Sequence, residues 1–348
     1  MLHVELREPP IPPDAWAAYE AVTRSHACTK AFIDHFDHPA SPELAFVRAA
    51  PGGPPLAAFV FVRDGRGTAA LLDRYADPPA EVLEAFAEAV FERHPEVVRI
   101  RTELIDAPGR RRPGTRPRLV LREDRELRVP IPARVEAYDR VLGKKLVREC
   151  RSCERRLDRL APGWAMETVE GPALSRALVA EIARLHRARL AARGVESAID
   201  AFYEEGIHAV ASRHGCATVL RAGGRVLAGV VHVCRGEVAT AWMLGFDAAY
   251  AACSPGKLVM IAGARHLVAH GVTVCRFLLG DAAYKRQLGG QPFTLGAYLV
   301  LRSWRAVRPL DLVRAARGLA ARLARRVLRG LDPVRQALRA LAPRLRRA

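Results

Sequence analysis

ATVLRAGGRVLAGVVHVCRGEVATAWMLGFDAAYAACSPGKLVMIAGARHLVAHGVTVCRFLL, residues 217–279, is the stretch on which the fold turns. It divides at its glycines. ATVLR, RVLAGVVHVC and VATAWMLGF are runs of strand type separated by the short turns AGG and RGE, a pattern that predicts antiparallel hairpins. The loop DAAYAACSPG then leads into KLVMIAGARHLVAH, which reads as a buried helix, and VTVCRFLL closes the stretch as another strand. A strand reached through a crossover helix returns parallel to the one before it.

The same order occurs earlier in the chain. From Leu44 to Leu104 come LAFVRA, LAAFVFVR, the turn DGRG, TAALL, the loop DRYADPP, the helical run EVLEAFAEAVFERH and the strand VVRIRTEL. A spacing of roughly 175 residues is too long for a solenoid and predicts two related α/β domains side by side. Helical segments 173–194 and 198–215 precede the second sheet, each ending at a glycine suited to a helix C-terminus.

The copies differ at one loop. DRYADPP carries Asp77 and two prolines that lack N–H groups, whereas the second copy has Ser254, Pro255, Gly256 and Lys257 running into Leu258. A helix start offers unpaired N–H groups and the positive end of the dipole. The second copy is therefore the one expected to hold an anion.

The totals set the frame. The chain has 348 residues, half of them apolar, enough for two domains. Apolar stretches such as 226–234 fall short of the ~20 residues a membrane span needs. The start MLHVELREPP has no apolar core of a signal peptide, so a cytoplasmic protein is expected. Seven scattered cysteines are not a disulfide framework, and the CRSC of Cys150 and Cys153 has no second pair, so no metal is expected there.

Charge is uneven. Of the net +18, residues 302–348 carry +12, from 14 arginines and 2 aspartates. Only five basic residues are lysines, and Lys257 and Lys285 are among them. In the tail, Leu312, Ala316, Leu319, Leu323, Val327 and Leu331 form an apolar stripe. Asp332-Pro333 opens a second helix with Val334, Leu338, Leu341 and Leu345. Such helices dock on the body with arginines outward, or lie on an anionic membrane; scarce aromatics speak against single-stranded nucleic acid.

This order of strands and helices resembles the GNAT acyltransferase fold. Residues 245–289, with YDRVLGKKLVRECRSCERRL (138–157) and LHRARLAARG (185–194), are similar to double-GNAT acetyltransferases of the cellulose and exopolysaccharide-biosynthesis type. The duplicated architecture also resembles the Fem-type group, which transfers amino acids from tRNA to peptidoglycan precursors. The resemblance implies an α/β fold of two GNAT-like domains, each a mixed, mostly antiparallel sheet flanked by helices. A degenerate domain would cover 1–130, an acyltransferase domain with its connecting helix 131–303, and a basic amphipathic helical tail 304–348.

It further implies acetyl-CoA or another acyl-CoA as donor, without a metal. The pyrophosphate would sit on Ser254, Gly256, Lys257 and Leu258, although of the family's phosphate loop, Arg/Gln-x-x-Gly-x-Gly/Ala, only Gly256 is present. Tyr284 matches the tyrosine that protonates the departing thiolate. Asp281, Tyr284 and Lys285 share one helical face by their spacing. Lys285 would offer charge to the thiolate or the oxyanion, and Asp281 suits either that group or a plain N-cap. His186 and Arg189 match positions facing the acceptor. An amine acceptor must lose a proton, and His232, Asp247, Glu237 and His186 are the candidate bases.

The expected function is acyl-CoA-dependent N- or O-acyl transfer, to a cell-envelope, polysaccharide or small-molecule acceptor. The expected location is cytoplasmic, peripheral to the inner membrane face through 304–348. A Fem-like aminoacyltransferase using aminoacyl-tRNA is the alternative enzyme, and a catalytically silent GNAT-like binding module the alternative from another class.

Overall fold

The structure, a computed structural model, describes residues 2–106, 116–280 and 282–330. The first part of the chain forms β1 (His3–Arg7), α1 (Pro13–Val22), α2 (Lys30–Phe32), β2 (Glu43–Arg48), β3 (Pro55–Arg63), β4 (Thr68–Leu71), α3 (Ala80–Arg93), β5 (Arg99–Asp106) and β6 (Arg118–Pro130). There follow α4 (Val135–Leu160), β7 (Ala165–Glu170), α5 (Arg176–Ala191), α6 (Ala201–His214), β8 (Gly215–Ala222), β9 (Arg225–Arg235) and β10 (Val238–Phe246). The chain then adds α7 (Pro255–Ala269), β11 (Val274–Leu279), α8 (Ala283–Gln287), β12 (Gln291–Leu301) and α9 (Pro309–Gly330).

The strands make one 12-stranded sheet in the order β1-β2-β3-β4-β5-β12-β6-β11-β10-β9-β8-β7. Neighbours are antiparallel except β4–β5 and β10–β11, the two pairs joined through α3 and α7. This is the duplicated α/β architecture expected from the sequence. The order adds what periodicity did not carry: the two halves exchange their last strands. β12 pairs with β5 of the first half, and β6 pairs with β11 of the second. β6 and β12 pair with each other along Gln291–Val300 and seal the sheet.

Helices cover both faces. Phe86, Val90 and Phe91 of α3 pack on one face of the first half, and Trp16 and Tyr19 of α1 on the other. In the second half α5 and α6 cover one face, α4 and α7 the other. The approach of α5 is set by Gly245 on β10, where a Cβ would fall 2.3 Å from the Ile182 carbonyl oxygen. Gly215, expected to cap α6, is extended instead and begins β8.

The seam holds a buried ion pair. Arg276 of β11 (2% exposed) and Glu126 of β6 (0%) meet at 2.8 Å. At the C-terminal end, α9 lies on β6. Asp311 is buried and accepts from Arg99 at 3.1 Å, and at Gly318 a Cβ would collide with the Leu121 carbonyl oxygen at 2.0 Å. The docked face is thus the small and polar one. The helix docks on the body, as one of the two readings of the tail had it, yet Leu312, Leu319 and Leu323 of the stripe remain 56, 46 and 52% exposed. Leu331 and everything after it lie outside the described residues. Among the described residues, no helix is long and apolar enough to cross a membrane.

Candidate active site

The site is built by a parting of strands. β10 and β11 pair only along Val238–Thr240 and Val274–Arg276. Beyond that, β10 bulges between Ala241 and Met243 against β9, and β11 between Arg276 and Leu279 against β6. Leu278 takes a left-handed conformation (φ 53°) at the second irregularity. Bulges bend strands and leave local backbone groups unpaired, so the sheet opens here.

The start of α7 stands beside this opening. Ser254 is left-handed (φ 46°, ψ 47°) and does not cap the helix with its side chain. The N–H groups of Lys257 and Leu258 donate to the Ser254 carbonyl at 2.9 and 3.2 Å. Pro255 has no N–H, so the Gly256 N–H and the Lys257 ammonium are the donors left at this end. Gly256 is required for packing, because a Cβ would meet the Phe246 ring at 2.8 Å. Leu258, expected at the pyrophosphate, is buried in the core and borders the cavity at this end. The expected cradle is therefore narrower than the sequence suggested.

What it lacks in N–H groups it gains in charge. A cavity of about 230 Å³ opens at the same end, lined by Ser254, Lys257, Leu258 and Ala252 with Glu149, Cys150, Ser152, Cys153 and Arg156 of α4. Lys257 lies 3.8 Å from Glu149, and Arg156 donates to the Ala252 carbonyl at 2.9 Å. The CRSC pair forms part of this wall. Burial and the neighbouring Cys153 push the Cys150 thiol up, which keeps it protonated.

Tyr284, Arg189 and His186 come together across the opening. Burial raises the Tyr284 phenol above its usual value while Arg189 and Arg193 pull it back, so it is a protonated phenol at neutral pH. The Arg189 guanidinium sits 5.7 Å from the centre of the Phe246 ring, and its Nε is buried without a hydrogen-bond partner. His186 Nδ1 is 2.8 Å from the Leu244 carbonyl oxygen. A carbonyl can only accept, so Nδ1 carries the proton and Nε2 the lone pair. Burial, with help from Arg189, lowers the His186 pKa and favours that neutral form.

Lys285 is placed differently from the expectation. Its ammonium is buried and donates to the carbonyls of Phe277 (2.7 Å) and Leu279 (2.9 Å), with those of Leu278 and Gly280 at 3.4 and 3.3 Å. These bonds hold the irregular end of β11, and they turn the charge toward the strand. Asp281 lies outside the described residues. Three candidate bases are engaged in other roles. His232 is sealed under α7, where its ring carbon would touch a Cβ at Gly263 at 2.6 Å, and burial depresses it to about 4. Asp247 caps a short turn by accepting from Ala249 N–H at 2.9 Å. Glu237 sits in the β9–β10 turn, where its carbonyl accepts from Thr273 at 2.8 Å.

Sequence reasoning missed one group of residues. At the β10 bulge, Trp242 stands 4.8 Å from the ring of His26, which is 5.1 Å from Tyr75. Phe32 and Phe36 join them, and Phe36 reaches Tyr203 of α6 at 4.8 Å. The first half thus puts aromatic side chains against the opening of the second. His26 Nδ1 is buried without a partner, and burial with Arg276 and Arg74 nearby lowers its pKa to about 3. The signal was HACTKAFIDHFDH (26–38), three histidines and two phenylalanines in a chain with only 6% aromatics.

Residues 144–286 match the family model described as acetyltransferase (GNAT) domain. No curated protein matches the chain. The crystal structure of FemX superposes with a TM-score of 0.62 at 10% identity, over 85% of this chain and 97% of FemX. A conserved protein of unknown function from Bacteroides thetaiotaomicron gives 0.54 at 11%, over 85% and 100%. The C-terminal domain of a protein from Agrobacterium fabrum, named for lysylphosphatidylglycerol synthetase, gives 0.52 at 14%, over 87% and 95%. At such identities the likeness is one of fold.

Proposed function

We propose that the protein is an acyl-CoA-dependent acyltransferase whose second half binds the donor and carries out the transfer. The observation that carries this reading is the parting of β10 and β11, with Tyr284, Arg189 and the cationic start of α7 around its mouth. Lys257, Arg156 and the Gly256 N–H would meet the donor's pyrophosphate. The thioester would lie in the parting, where backbone groups of β10 beyond Thr240 no longer pair with β11. The acceptor nitrogen or oxygen attacks the thioester carbon, and the C–S bond breaks. Tyr284 gives its proton to the leaving thiolate, and neutral His186 is placed to take the acceptor's proton. The acceptor would enter from the aromatic face formed by His26, Tyr75 and Trp242.

Titration calorimetry with CoA tests this. CoA binding that is weakened by Lys257→Glu or Arg156→Glu supports it. Binding of tRNA without CoA would replace it with the Fem-like reading, and binding of neither would leave a silent module.

A specific observation supports attachment to a membrane surface. On α9, Asp311, Ala315, Gly318 and Arg322 lie on the docked side and Leu319 edges a cavity against β6, while Leu312 and Leu323 are exposed among arginines and Leu319 is itself 46% exposed. An exposed apolar stripe flanked by cations suits an anionic lipid interface. Sedimentation with phosphatidylglycerol vesicles should capture the protein, and Leu312→Ser with Leu319→Ser and Leu323→Ser should release it while turnover stays unchanged. Equal binding by that variant, or to neutral vesicles, would reject the attachment.

A further inference from the structure

The far end of α7 carries a second group of side chains that the transfer reaction does not use. His266 lies in the last turn, His270 is the C-cap, and Glu170 ends the edge strand β7 beside them. His266 Nε2 is 2.8 Å and His270 Nε2 3.3 Å from the same oxygen, Glu170 Oε1. The two rings are 4.3 Å apart, and one ligand atom from each of the three residues falls within 4.8 Å of the others. We propose that Glu170, His266 and His270 form a binding site for a divalent transition metal of the zinc type.

The donor set and its arrangement carry the assignment. Histidines at i and i+4 lie on one helical face and converge on a single ion. Imidazole nitrogen and carboxylate oxygen are the ligands zinc takes at ~2.0–2.2 Å, so small rotations of these exposed side chains would close the shell. Proton placement adds an independent argument. His270 Nδ1 is 3.0 Å from the His266 carbonyl oxygen. The carbonyl can only accept, so Nδ1 carries hydrogen, and in the neutral ring Nε2 presents a lone pair. That lone pair faces a carboxylate oxygen, which is also an acceptor. Two acceptors facing each other at this distance suit a cation held between them. A backbone carbonyl on the remote ring nitrogen is also the outer partner that metal-bound histidines have.

The position defines the role. α7 has 15 residues and is therefore about 22 Å long, with the donor end at its start. The metal would take no part in acyl transfer. Among the described residues, β7 is the last strand of the sheet and pairs only with β8; an ion bridging it to α7 would clamp that edge.

Zinc chloride titrated into the full-length protein at pH 7.5, free of chelator, tests the site. One zinc should bind and raise the melting temperature, and EDTA should reverse the rise. Glu170→Ala and His270→Ala should each weaken binding at least tenfold, while Cys150→Ser with Cys153→Ser should leave it unchanged. Absence of zinc binding would mean that the three side chains make only a hydrogen-bonded surface cluster. Full binding in the histidine variant, or loss in the cysteine variant, would place the metal elsewhere. Each of these three results overturns the proposal.

Discussion

The loops after the third antiparallel strand of each half show how one backbone frame yields a filled site and an open one. In the first half the loop satisfies its own charges. Buried Asp73 accepts from the Tyr19 hydroxyl at 2.6 Å and from Val60 N–H at 2.7 Å. Asp77 takes both Nη atoms of Arg128 at 2.8 and 2.9 Å, and Arg74 pairs with Asp37 at 2.6 Å. In the second half the equivalent loop leads to Ser254 and an open cavity edged by Lys257 and Arg156. A loop whose charges are held in close ion pairs has little to offer an incoming anion, whereas Lys257 meets Glu149 only at 3.8 Å and Arg156 bonds a backbone carbonyl. The difference between the halves lies in pairing and not in topology.

The comparison breaks first at the seam. Glu126→Gln would leave the Arg276 guanidinium buried with only neutral partners and Asp77, 3.8 Å away. Removing one partner of a buried pair costs about 3–5 kcal/mol, more than any loop change proposed here. Calorimetric melting should show the sheet weakened, because the pair ties the exchanged strand β6 to β11 of the second half. Melting close to wild type would show that the strand exchange holds without it.

The next effect is on turnover. Tyr284→Phe should lower the transfer rate ~10²–10³-fold, as loss of a positioned proton donor does, with CoA affinity unchanged. Lys285→Met should act differently, lowering stability and turnover together, because the ammonium organises the end of β11. If Lys285→Met lost turnover alone, the lysine would be an electrostatic catalyst after all.

Much of the frame was legible because both signals are local. Hairpin glycines and apolar runs placed β8 to β11 and α7 within a few residues, and the loop contrast at Asp77 and Ser254 was visible from residue types alone. Strand exchange was not legible, since RLVLREDRELRVP of β6 names no neighbour; the partner of a strand is set by the packing of distant segments. Lys285 illustrates the limit at the site. Its place in the short helix after β11 was legible, but only the left-handed turn at Leu278 gathers carbonyls around the ammonium. His26 and Trp242 are 216 positions apart and meet only because the halves join.

Acid should report on the second half's core. His232 is sealed with both ring nitrogens unpartnered and its pKa depressed to about 4. The unfolded chain takes up the proton near pH 6.5 and the folded chain does not. Its contribution is therefore complete above pH 6.5 and is lost as the pH falls toward 4. A gap of this size corresponds to roughly 3 kcal/mol at ~1.4 kcal/mol per unit. His26 falls in the same direction over a window reaching about 3. His232→Met should flatten the decline of Tm between pH 6.5 and 4 relative to wild type. An unchanged slope would assign the acid sensitivity to other groups.

The smallest effect is the sharpest test of the loop contrast. Lys257→Glu reverses one charge at the open cavity without touching the core, since the side chain reaches only Glu149 there. CoA affinity should fall about tenfold, or ~1.4 kcal/mol. Gly256→Asp is less clean, because its Cβ would strike Phe246 and confound charge with packing. The companion variant is Asp77→Ser in the first half. It takes Asp77 from Arg128, which keeps Glu126, and leaves the second half's cavity intact, so CoA affinity should stay at the wild-type value. If Asp77→Ser instead created a second CoA site, the first loop would be an anion site held shut by its own aspartate. If Lys257→Glu left affinity unchanged, the donor's phosphates would have to lie away from the α7 start, and the contrast between the loops would not be about CoA.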